Sequence, residues 1–198
     1  MGKFFGNLHL VLVTGLVAAV LVMWHFAAAS DGALPIDANS VLRWLHVFFG
    51  ILWIGLLYYL NFVQVPTMPK IPAELKGGVT GFIAPSVLFF FRWGAAFTVL
   101  TGLCIAIVDG YAHRAMTFTG ATQSENLIGL GMWLALIMAF NVWFIIWPAQ
   151  KKILGIVEAT AEEKAAVGPR ALYASRTNVL LSLPMLYCMV SANLGVGG

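Results

Sequence analysis

Long apolar runs separated by short polar segments make up most of this chain. An α-helix needs roughly 20 consecutive, mostly apolar residues to cross the hydrocarbon core of a bilayer. Five runs meet this requirement, and the segments between them carry the glycines, prolines and charges that interrupt helices. The pattern therefore predicts an all-α integral membrane protein, a bundle of five transmembrane helices in a single membrane domain over 1–198. The predicted spans are about 8–29, 40–65, 85–108, 124–147 and 173–194.

The first apolar run has two possible interpretations. Lys3 precedes it and its Ala-rich end resembles a cleavage site, as in a secretory signal peptide. The run is longer than the apolar core of such a signal, so we interpret it as a true span. Further along, Ala, Glu and Lys at helical spacing over 150–165 predict that the fourth helix continues beyond its apolar run, either into water or along the membrane surface.

Composition narrows the class of protein. Hydrophobic residues make up 61% of the chain and charged residues 10%, whereas soluble domains carry about 25% charged residues. The basic residues lie in short loops, so we expect the lipid bilayer and other membrane subunits as partners and no nucleic acid. The sequence has no Walker loop, HExxH, GxSxG or CxxCH motif, which argues against an independent enzyme and against c-type haem. A channel or transporter would need a polar lining that the spans do not show.

The distribution of Lys and Arg predicts the orientation. Eight of these residues lie in the segments on the side of the N-terminus and two lie in the opposite segments. Cytoplasmic loops carry the excess of basic residues in membrane proteins. We therefore expect the N-terminus inside and, with five spans, the C-terminus outside. The eight are Lys3, Lys70, Lys76, Lys151, Lys152, Lys164, Arg170 and Arg176, and the two are Arg43 and Arg114.

Two histidines are the first candidates for chemistry, because ionisable residues inside spans are often functional. His25 lies about four residues before the end of the first span, and His46 lies about five residues into the second. At ~1.5 Å per residue both are roughly 6–8 Å below the same membrane face. Two such imidazoles could hold the iron of a b-type haem from opposite sides. Alternatively, both are interfacial histidines bonded to loops or water, since packed helices about 8–10 Å apart leave little room for a macrocycle.

Arg92 is the third candidate and lies roughly two turns into the third predicted span. Its guanidinium could pair with an anionic group such as a haem propionate, with a quinone, or with a carboxylate of a neighbouring subunit. Alternatively, the side chain extends to the lipid head groups. Cys104 and Cys188 lie within apolar runs and are expected to act as small hydrophobic residues.

Several segments together resemble a known membrane family. Their order and character resemble the N-terminal membrane domain of the bacterial membrane-bound urate oxidases (urate hydroxylases), over roughly residues 40–195. Residues 91–102 also resemble the helix that lies between the first two segments in that family. The segments are LRWLHV at 42–47 followed by GILWIG at 50–55, NVWFIIWPAQKK at 141–152, and RTN at 176–178 leading to LSLPM at 181–185.

The resemblance implies a redox role in the bacterial inner (cytoplasmic) membrane, with electrons passing to a c-type haem. In full-length members a cytochrome c domain follows the membrane part, and these 198 residues contain none. Only His46 is carried over as a family histidine. The resemblance predicts further histidines around Gly129, Arg176 and Asn193, but this sequence has other residues there. Two hypotheses result: an accessory subunit of a larger redox or energy-converting complex, or a haem b-binding electron-transfer protein that uses His46 and His25.

Overall fold

The computed structural model describes residues 2–27 and 37–195, and all regular structure in these ranges is helical. The chain forms two compact units, Met1–Val41 and Leu42–Gly198. The prediction of one membrane domain over 1–198 therefore stays a prediction. The α-helices are α1 (Gly2–Phe5), α2 (Leu8–Ala27), α3 (Ala38–Tyr58), α4 (Val65–Thr67), α5 (Lys76–Gly78), α6 (Ala84–Val108), α7 (Ala112–Thr117), α8 (Gln123–Phe140), α9 (Trp147–Ile153) and α10 (Ala161–Asn193).

Four helical stretches in the described residues are long and apolar enough to cross a membrane: Leu8–His25, Ala38–Lys70, Ala73–Val108 and Gln123–Ile153. They coincide with the first four predicted spans, and the all-helical class is confirmed. Helix α10 covers the fifth predicted span, but it is less apolar than the other four. Five spans and their orientation therefore stay predictions. The end of the first predicted span, residues 28–29, lies outside the described residues.

Three of the long helical stretches contain a π-helical segment that ends two residues before a proline. Proline has no N–H to donate, and its ring collides with the carbonyl group four residues earlier. Widening the preceding turn relieves both problems, so the chain stays helical through the proline. The segments are Tyr59–Gln64 before Pro66, Val79–Ile83 before Pro85, and Asn141–Ile146 before Pro148.

The prediction that the fourth helix continues over 150–165 is wrong. Helix α9 ends at Ile153, because Gly155 adopts a left-handed φ of 73° that stops a helix. A new helix, α10, begins after Thr160, which is its N-cap. The Thr160 hydroxyl accepts a hydrogen bond from the Glu163 N–H, and the Glu163 carboxylate accepts one from the Thr160 N–H. The Thr160 N–H and the Lys152 ammonium hold the pKa of Glu163 below its usual value.

Two buried asparagines connect α10 to the stretch formed by α8 and the following π-helical segment. The Asn141 amide donates to Asn178 Oδ1 at 2.8 Å, and the Asn178 amide donates to the Met138 carbonyl at 3.0 Å. The backbones also approach closely about 15 Å further along the two helices, where a Cβ added at Gly131 would lie 3.0 Å from the Cβ of Cys188. A small residue and interhelical amide bonds are typical means of joining helices in a bilayer.

Replacing Asn178 by leucine should destabilise the fold by about 1–2 kcal/mol, since it leaves the buried Asn141 amide and the Met138 carbonyl without their partner. The measurement is the free energy of unfolding in detergent. The matched control is Thr177→Leu, which adds the same side chain at the neighbouring exposed position. If the two variants unfold with the same free energy, the asparagine pair does not stabilise the contact between α8 and α10.

Candidate functional site

The main cavity of the second unit has a volume of about 840 Å³ and lies among α3, α6, α8 and α10. This volume falls within the ~300–1,000 Å³ that is usual for cofactor and small-molecule sites. Most of its wall is apolar. Its polar lining side chains include His46 and, around one end that we call the Arg43 end, Arg43, Tyr111, Glu125 and Asn193. Such a lining suits a ligand with a large apolar body and a polar edge.

Hydrogen bonds connect α3 to α10 at two levels and keep the two helices antiparallel. At the Arg43 end, Arg43 Nη1 donates to Asn193 Oδ1 at 3.1 Å. Further along, the oxygens of Tyr58 and Ser182 are 2.9 Å apart. The Ser182 hydroxyl already donates to a backbone carbonyl of its own helix, so Tyr58 is the donor. The α3 residues that line the cavity run from one of these connections to the other.

His46 is held on the cavity wall through one ring nitrogen. Its Nδ1 lies 2.9 Å from the Thr98 carbonyl oxygen and 3.2 Å from Thr101 Oγ1. A carbonyl oxygen can only accept, so Nδ1 carries the hydrogen in this bond. The Thr101 hydroxyl donates to the Phe97 carbonyl and is therefore an acceptor for His46. In the neutral ring this arrangement leaves Nε2 with its lone pair available.

Because Gly102 has no side chain, the His46 imidazole can lie directly against α6. A Cβ added at Gly102 would lie only 2.8 Å from Cε1 of His46. Nε2 has no hydrogen-bond partner among the described residues. Histidines that bind metals usually donate their other N–H to a carbonyl or carboxylate, which fixes the ring and makes the ligand more basic. His46 has this arrangement, so it is well placed to bind a metal centre through Nε2.

The Arg43 end carries two ion pairs that sequence reasoning missed. Arg43 Nη2 lies 2.6 Å from Asp109 Oδ2, and Arg114 Nη2 lies 2.7 Å from Glu125 Oε1. Burial raises the pKa of Tyr111, whose hydroxyl therefore stays protonated beside these charges. From the sequence alone Arg43 and Arg114 are only loop charges, because their partners lie 66 and 11 residues away.

Arg92 lies apart from this cavity, because it is not among the lining side chains. Its guanidinium carbon is 3.2 Å from the ring centroid of Trp147 and 5.9 Å from that of Trp143. The face of an aromatic ring attracts a cation that lies over it, so these contacts stabilise the guanidinium. Nε and Nη1 are buried and have no hydrogen-bond partner in the described part of the chain. The predicted role of Arg92 as a partner for an anionic group stays a prediction.

The pairing of His25 with His46 also stays a prediction. His25 lies on α2 in the first unit, and His46 lies on α3 in the second. Within residues 2–27 and 37–195 no three side chains of His, Cys, Asp and Glu form a metal-binding group.

Comparison with known families supports part of the predicted resemblance. Residues 114–197 match the family described as urate oxidase N-terminal. This part of the chain resembles the N-terminal domain of urate oxidase. The urate oxidase match includes α8, α9 and α10 and thus two walls of the cavity, whereas His46 lies outside it. No curated protein and no solved structure matches the chain.

Adding a methyl group at Gly102 should displace the His46 ring and break its bond to Thr98. We expect Gly102→Ala to destabilise the protein by about 1–3 kcal/mol, as is usual for overpacking. The measurement is the midpoint of unfolding in detergent. The control is Gly55→Ala, because Gly55 lines the same cavity and an added Cβ meets nothing within 4 Å there. Equal midpoints for the two variants would contradict the close contact.

Proposed function

We propose that this chain is a membrane electron-transfer protein that binds haem b, and that Nε2 of His46 would hold the iron. The observation that carries the proposal is the His46 ring, whose Nδ1 donates to the Thr98 carbonyl and whose Nε2 has no partner among the described residues. Haem iron is commonly held by an imidazole nitrogen. Nε2 is not among the buried side-chain atoms that lack a partner, so a molecule in the cavity can reach it.

The cavity fits the other parts of a haem. Its apolar walls suit the macrocycle, and its volume of about 840 Å³ is that of a cofactor site. At the Arg43 end, Arg43 already pairs with Asp109 and donates to Asn193, so the carboxylate side chains of the cofactor would have to replace these contacts to bind there. A bound haem b supplies a one-electron centre within the membrane. His46 would hold and orient that centre, and the apolar residues of the cavity would contact its faces.

The likeness to the urate oxidase N-terminal domain supports a redox setting. We propose electron transfer rather than urate oxidation by this chain alone, because the further histidines that the resemblance predicts are replaced by other residues. The competing hypothesis, an accessory subunit without a cofactor, has the same fold and the same membrane partners. The geometry of His46 favours electron transfer over it.

The expected haem gives the first functional prediction. The purified protein should show a b-type α band in its reduced-minus-oxidised spectrum, with close to one haem per chain in a pyridine haemochrome assay. His46→Ala should lose this band, because it removes the iron ligand. His113→Ala is the matched control, since His113 is exposed on α7 and does not line the cavity. A folded protein without haem would contradict electron transfer and leave the accessory-subunit hypothesis.

We also propose that α10 is the fifth span and that the N-terminus lies on the cytoplasmic side of the bacterial inner membrane. The low hydropathy of α10 has two sources. Four of its charged residues, Glu162, Glu163, Lys164 and Arg170, precede the predicted span, and within the span the polar residues Asn178, Ser182 and Ser191 are buried against the protein. The side chains on its exposed surface are largely apolar, and Leu180 and Leu183 are 69% and 63% exposed. A lipid-facing helix needs an apolar surface only on the side that contacts lipid.

Five spans place the two ends of the chain on opposite sides of the membrane, whereas four would place them on the same side. Alkaline phosphatase fused after residue 195 should therefore be active and green fluorescent protein at the same position dark, because the fusion lies outside. Fusions after residue 158, between α9 and α10, should give the reverse result. Identical results at the two positions would show that α10 does not cross the membrane.

A further inference from the structure

We infer that Met189 is the side chain that faces His46 across the cavity, so that haem iron is held by an imidazole on one side and a thioether on the other. This inference rests on the proposed function and adds the second ligand to it. Methionine sulfur is an established partner of histidine on haem iron. Both residues line the cavity, His46 from α3 and Met189 from α10.

The hydrogen bond between Arg43 and Asn193 sets the levels of the two side chains. His46 follows Arg43 by three residues on α3, and Met189 precedes Asn193 by four residues on the antiparallel α10. At ~1.5 Å per residue the two positions are about 4.5 and 6 Å from the shared hydrogen bond, in the same direction. The imidazole and the thioether therefore start from nearly the same depth on facing helices.

The backbone of Met189 is connected to the same hydrogen-bonded group, and its side chain lies against α8. The Asn193 amide that is connected to Arg43 donates to the Met189 carbonyl at 2.7 Å, so the same residue sets the position of both helices. On the side of α8, a Cβ added at Gly131 would lie 3.2 Å from Cε of Met189 and 3.6 Å from its Sδ. The glycine thus leaves room for the thioether beside the cavity.

Two other methionines line the cavity, and both are more deeply buried. Met185 is 5% exposed and belongs to the main apolar cluster, one turn further from the Arg43 end. Met132 is 8% exposed and packs with Ala106 and Ala115 in a second cluster. Met189 packs against the edges of both clusters but is only partly buried, so turning its flexible side chain toward a ligand would disturb the core less than turning either of the other two. The position and the freedom of Met189 therefore distinguish it from the other two.

The test is the coordination state of the haem in the intact protein, read from visible and electron paramagnetic resonance spectra. Wild type should be six-coordinate and low-spin, and its ferrous form should resist carbon monoxide. Met189→Leu keeps the volume but removes the sulfur, so it should become high-spin and bind carbon monoxide. Met189→His should restore the low-spin state. Met185→Leu and Met132→Leu are the controls and should behave as wild type.

The outcomes separate the two proposals. A folded wild-type protein without haem refutes the proposed function, and the ligand assignment is refuted with it. Haem that stays low-spin in Met189→Leu refutes the ligand assignment alone, and a change in His25→Ala would then identify the pair predicted from the sequence. If Met189→Leu loses its haem, recovery in Met189→His supports the assignment and failure to recover overturns it.

Discussion

The hydrogen bond from His46 to the Thr98 carbonyl is the interaction on which the candidate site depends. It settles which ring nitrogen carries the hydrogen, and it holds the imidazole against α6 at a point where Gly102 leaves no side chain in the way. An imidazole that rotated freely could satisfy both nitrogens by turning toward solvent or a backbone group. In this position one nitrogen is bonded and the other keeps its lone pair, which is what an iron ligand requires.

A second constraint is that polar groups in an apolar bundle must find partners inside it. Asn178 has its bonds to Asn141 and the Met138 carbonyl, and Ser182 accepts the Tyr58 hydroxyl. These bonds turn the polar side of α10 inward and leave an apolar surface outside. Mean hydropathy averages over both sides of a helix, so it undervalues a span of this kind.

Much of the fold could be predicted from the sequence, because span length and apolar character are local properties. The same holds for His46, whose place inside a span is visible in the chain itself. The pairing of Arg43 with Asp109 and with Asn193 was not predictable, since the partners lie 66 and 150 residues away and only tertiary packing brings them together. The end of α9 was missed because helical spacing over 150–165 outweighed Gly155, whose left-handed φ ends the helix.

The apolar walls and the His46 imidazole together limit the kind of molecule that could occupy the cavity. A cavity of about 840 Å³ within a bilayer could be occupied by a lipid chain, which would satisfy its apolar walls. A lipid chain cannot satisfy the Nε2 lone pair of His46, because hydrocarbon offers neither a donor nor a metal. A large apolar molecule with an electrophilic centre would suit both the walls and the imidazole, and the proposed haem has these properties.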